Sequence, residues 1–203
     1  MRFPYQQPPD PEREPSPAPG ESVAPWLQER LFDRRIVLLS GRLGGTVASN
    51  AAAALVTLDA IGIDPVQLHV TSSDGDLTAA FAVVDAIESM RAPVHAVVPS
   101  QVGGAALAVL AAARKRVAYP HARIMLAEPR TAMAAGTAEK VAAAAGEYLR
   151  ELDELIVRLA QVTGQPRSRV EDDLSTGRAL TALQAKEYGL IDEIVGPAPH
   201  AGA

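Results

Sequence analysis

The chain of 203 residues has no cysteine, which excludes disulfides and thiolate zinc sites. Aromatic residues make up only 4% of it, so the core must be built from aliphatic side chains. No excess of positive charge is present. The formal net charge is −5, which argues against a general nucleic-acid surface. No apolar run approaches the roughly 18–20 residues of a membrane span, and the first residues hold no apolar signal-peptide core. Metal-ligand spacing, phosphate-cradling glycine loops and Walker patterns are missing too. Neither a metal nor a cofactor is expected, and a soluble cytoplasmic protein is.

What is present is ordinary globular usage, 48% hydrophobic and 21% charged, with abundant alanine for close helix packing. The length allows one domain and an appendage. Residues 1–24 are crowded with proline and poor in apolar side chains, which predicts a flexible arm. A folded body is expected over 25–196, followed by a flexible tail over 197–203. WLQERLF from Trp26 predicts a short helix. RIVLLSG (35–41), a continuous apolar run of strand length, suits a buried sheet. Beyond it the chain alternates. Helices are predicted at 46–60, 76–90, about 104–113 and 181–188, and strands at 66–72, Val94–Val98, KRVAY, RIMLAE and IDEIV. The longest helix is predicted from Thr137 to Gln161, with Gly164 just beyond it. Its apolar stripe is Val141, Ala145, Tyr148, Leu152, Leu155, Ile156 and Leu159. This alternation predicts an α/β layered fold with mostly parallel strands.

Four segments in order resemble the proteolytic subunit of the Clp protease, ClpP, a serine peptidase family of the crotonase-like superfamily. FDRRIVLLSGRL is similar to the family's KERIIFLxG opening, and VTSSDGDLTAAFAVVDAI to its INSPGGxxxAGxxIYDxM. KRVAYPHARIMLAEP resembles KRxxLPxxRxMIHQP, and LTALQAKEYGLIDEIV resembles LSAxEAxxYGLIDxIL. The resemblance covers about residues 26–195. It implies a ClpP/crotonase-like α/β fold of repeated ββα-type units with a long handle helix.

The family's chemistry needs a serine nucleophile, a histidine base and an orienting acid. By the resemblance the histidine position holds Ala127 and the aspartate position holds Gly177. For the serine, Val102, Gly103 and Gly104 remain candidates, because anchoring on either flank gives a different position. None has a hydroxyl. The oxyanion turn SPGG matches Ser72-Ser73-Asp74-Gly75. There Asp74 brings a negative charge toward an oxyanion, or Asp74-Gly75 simply makes a good turn; the second reading is preferred. Ser100 and His121 read as turn residues, His69 and His95 as sheet-face residues, His200 as part of the tail, and Asp172 and Asp173 as solvated helix charges.

The resemblance implies seven-membered rings stacked through the long helix. Its stripe, Val141, Tyr148, Leu152, Leu155, Ile156 and Leu159, would stay exposed on a single chain, which favours oligomerisation over the alternative of a helix folded back onto its own subunit. Three departures stand against the usual assembly. Ser175-Thr176 replace an Asp-Arg pair, the proline-rich arm replaces a pore hairpin, and Gln67 and His69 replace tyrosines that dock the ATPase. The expected function is a catalytically inactive ClpP-like subunit, forming rings alone or with active ClpP paralogues, with ATPase docking disfavoured. The alternatives are a crotonase-like cavity for another ligand such as an acyl thioester, or a stand-alone scaffold or decoy.

Overall fold

A computed structural model describes residues 24–130 and 136–196. Residues 1–23 of the arm expected over 1–24, the 197–203 tail and His200 lie outside the described residues.

Five short parallel strands form the main sheet: β1 (Ile36–Ser40), β2 (Val66–Thr71), β3 (Val94–Val98), β5 (Lys115–Ala118) and β8 (Glu193–Ile194), in the order β1-β2-β3-β5-β8. Val37 and Leu39 pair in register with Leu68 and Val70, and all four are buried. Their β-branched and leucine side chains therefore fill one face, as two-residue alternation requires. Helices α2 (Gly45–Ile61) and α3 (Leu77–Ser89) link successive strands. Each turns an aliphatic stripe inward: Ala48, Ala51, Leu55 and Leu58 on α2, and Leu77, Ala80, Val84 and Ile87 on α3. The alanines let the two helices approach closely. Helix α1 (Pro25–Asp33) precedes β1, as WLQERLF predicts.

Two strands were not anticipated from the sequence. β4 (Gln101–Gly103) and β7 (Arg178–Thr181) flank β6 (Arg123–Leu126) in a second sheet of order β4-β6-β7, parallel on one side and antiparallel on the other. Both are short: β4 sets exposed Gln101 beside buried Val102 and Gly103, and β7 sets exposed Arg178 and Ala179 beside buried Leu180. They consequently lack a run long enough to stand out. Because β4 takes residues 101–103, the following helix α4 (Ala106–Ala112) starts two residues later than predicted. Ala106 through Ala111 are all buried.

Helix α5 (Ala138–Thr163) starts at a Thr137 cap, whose hydroxyl accepts the Lys140 N–H, and stops at left-handed Gly164. Its stripe behaves differently from the expectation of a wholly exposed seam. Leu152, Leu155, Ile156 and Leu159 are buried within the chain, where α5 packs on α4, α3 and α6 (Arg167–Thr176). Only the first half projects, with Val141 43% and Leu149 62% exposed. A capping box formed by Thr181 and Gln184 starts α7 (Ala182–Tyr188).

Candidate functional site

Three connections converge where the two sheets meet. The loop after β1, the turn after β2 and strand β4 are joined by single parallel bridges, Leu43 to Gly75 and Ser72 to Val102. Leu43 N–H donates to the Asp74 carbonyl and Asp76 N–H to the Leu43 carbonyl, both at 2.9 Å. A Cβ on residue 75 would lie 2.5 Å from the Leu43 carbonyl oxygen, so only glycine allows this approach. Buried Ser72 donates its hydroxyl to the Asp74 carbonyl at 3.0 Å.

The charge of Asp74 is compensated by a cation. One carboxylate oxygen accepts the Gly75 N–H at 2.9 Å, and the other accepts Arg42 at 2.7 Å. The same guanidinium reaches Asp76 at 2.9 Å. Arg42 thus ties both acids of the β2–α3 turn to the β1–α2 loop. The sequence gives no sign of this pairing, since 32 positions separate Arg42 from Asp74.

The three serine candidates occupy different surroundings. Val102 is wholly buried in β4, pointing into the core. At Gly103 an added Cβ would stand 2.7 Å from that of Met125. Gly104 forms the turn itself, with φ of +55°, two residues ahead of α4. Its missing Cβ would sit 3.4 Å from the Ser73 carbonyl oxygen and 3.8 Å from the Pro129 Cα. Gly104 is therefore packed between Ser73-Asp74 and the segment after β6, with room for little more than a methyl group.

That segment carries Ala127. Glu128 N–H donates to the Leu174 carbonyl at 3.2 Å, and the Pro129 carbonyl accepts the Tyr148 hydroxyl at 2.9 Å. Burial, and secondarily the Glu128 carboxylate, push the Tyr148 phenol above its ordinary range. Gly177 ends α6 in a left-handed turn, with open space where a side chain would start. Beside it Asp173 binds Arg178 at 3.0 Å and also faces Arg169. Both guanidinium groups lie over the Tyr188 ring, at 5.8 and 5.4 Å from its centroid. Asp173 is accordingly a paired, mostly buried acid, in contrast to the solvated charge expected; Asp172 is exposed.

Ser100 and His121 are exposed at turns. Ser100 uses its carbonyl to accept the Arg123 N–H. His69 and Gln67 share a sheet face and touch each other at 3.3 Å, and burial lowers the His69 pKa. His95 pairs in register with Gln67 on the neighbouring strand. A cavity of about 890 Å³ lies between α1, β1 and α2. Trp26, Phe32, Ile36 and Leu38 line it, whereas Gln67 and His69 do not. A second cavity of about 510 Å³ opens between the starts of α2 and α3 and the side of α5, where Tyr148 and Glu151 face Asp76. Among the described residues there is no cluster of three or more metal-ligating side chains, and no helix is long and apolar enough to cross a membrane.

A parallel α/β layer, a small second sheet, a strand–turn–helix elbow and a long projecting helix together define the class of the ClpP-type fold. The chain belongs to the Clp protease family, whose family model, "Clp protease", matches residues 20–198. It is 31% identical over 169 residues to the ATP-dependent Clp protease proteolytic subunit 1 of Thermobifida fusca (strain YX), an alignment covering 82% of this chain and 76% of that protein.

Proposed function

We propose that this chain is a non-catalytic ClpP-type subunit that assembles into rings, alone or with active paralogues, and acts structurally or as a regulator of the chamber. The observation that carries the proposal is the left-handed turn leading into α4, which holds Gly104, a residue with no side chain to act as nucleophile. The positions corresponding to base and acid, Ala127 and Gly177, have no group able to move or orient a proton. Loss of all three functions at once distinguishes this reading from a site with one substituted residue. The projecting half of α5, with Val141 and Leu149 exposed, supports assembly, because such a surface is covered when copies meet. Gln67 and His69 offer a polar contact where an aromatic one would anchor an ATPase loop, so docking on this subunit is not part of the proposal. Such a subunit would work in the cytoplasm.

The test is hydrolysis of model peptides by the purified chain, together with labelling by a serine-directed fluorophosphonate. Neither is expected. Turnover accompanied by labelling would overturn the non-catalytic reading.

A further inference from the structure

Strand β1 is an edge of the main sheet and pairs with β2 alone. The phase of that pairing is fixed at both ends: the Gln67 N–H donates to the Arg35 carbonyl at 2.9 Å, and the Gly41 N–H to the Thr71 carbonyl at 3.0 Å. Successive backbone groups of a strand point to opposite edges. The odd-numbered residues of 35–41 therefore face β2, and the N–H and C=O groups of Ile36, Leu38 and Ser40 face outward. None of these groups has a hydrogen-bond partner among the described residues. The same three residues line the 890 Å³ cavity, whose other walls include Leu31 and Phe32 of α1 and Val47 of α2. A free strand edge thus runs along an apolar groove.

The described chain begins at Ala24, and the next two residues, Pro25 and Trp26, line this cavity. The arm before them contains Pro15-Ser16-Pro17-Ala18-Pro19, in which every second residue is proline. Proline has no N–H, so a strand tolerates it only where that side faces away from a partner. Alternate prolines leave the N–H groups of Ser16 and Ala18 on one edge and no donor on the other. Gly20 follows, and the five peptide steps from Pro19 to Ala24 span at most about 18 Å. The five residues of β1 span about 17 Å, so the segment can reach the groove. We propose that residues 15–19 of this chain add to the free edge of β1 as a further strand, Ser16 and Ala18 pairing with two of the three outward-facing residues. An open edge would otherwise accept strands from other chains; this segment covers it and presents an outer side without donors. The inference stands whether or not the chain is catalytic.

Hydrogen-exchange mass spectrometry on the full chain tests it, comparing wild type with the double variant Ser16→Pro/Ala18→Pro and with Ser16→Ala. In wild type the amides of Ile36, Leu38 and Ser40 should be protected. The double variant removes both donors and leaves residues 24–196 as they are, so these amides should exchange about tenfold faster. Peptides from α3, β3 and α7 should be unchanged. Ser16→Ala keeps its N–H and should match wild type. Fast exchange at Ile36, Leu38 and Ser40 in wild type, equal protection in the double variant, or an equal rise along its whole chain would each overturn the proposal. So would protection in wild type that falls on dilution, which would assign the groove to a second copy.

Discussion

At the scale of single residues, Gly104 decides how the elbow is read. With φ at +55°, any side chain there occupies a conformation disfavoured by about 1–2 kcal/mol. Gly104→Ala should therefore destabilise by about that amount in chemical denaturation, although van der Waals room for the methyl exists. Gly104→Ser and Val102→Ser should each remain without peptidase activity, because a serine lacking a base is a weak nucleophile; a peptide-hydrolysis assay checks both. Val102→Ser should in addition lose stability, since it buries a hydroxyl in an apolar core. His69 gives a pH signature. Burial holds its folded pKa below the usual 6.5, so the unfolded chain takes up the proton first. Its contribution to stability is present above about pH 6.5 and lost as the pH falls through the folded value. Thermal melts of His69→Gln should show a weaker loss across that acidic window than wild type does.

At the scale of elements, α5 combines two jobs that separate along its length. Leu155, fully buried, should cost roughly 2–5 kcal/mol when changed to alanine, with assembly affected only through folding. Val141→Ser should leave the denaturation midpoint of a single chain almost unaltered and weaken any oligomer, which sedimentation at graded concentrations would detect. The long helix was legible because its stripe, its threonine start and its glycine stop agree. Its division into buried and projecting halves was not, since periodicity marks a face without naming what covers it. The main sheet was legible for a similar reason: IVLLS, VQLHVT and VHAVV are apolar runs of strand length between turn signals. β4 and β7 escaped notice because their pairing depends on β6, remote in sequence, and not on their own composition.

At the scale of the whole molecule, the proposal that Ala127 and Gly177 stand at the base and acid positions rests on matching the chain to family motifs, which leave a three-way choice at the serine position. One strand of three residues decided how the candidates are distributed: Val102 into the core, Gly103 against Met125, Gly104 into the turn. The Arg42 bridge to Asp74 and Asp76 was hidden for the same kind of reason, since ion pairing between two loops leaves no periodic trace. If the chain forms mixed rings, native mass spectrometry with active paralogues should show hetero-oligomers whose peptidase activity scales with the number of active subunits. A strictly monomeric chain, both alone and mixed, would remove the ring proposal.

The Gly104 turn also bears on how freely the rest of the chain can vary. An obligatory side chain at such a turn draws on a stability margin of only about 5–15 kcal/mol, and glycine leaves that share intact. A substitution elsewhere that costs about 1–2 kcal/mol can then be carried without loss of the fold. A relaxed elbow in this sense widens the range of substitutions the scaffold tolerates.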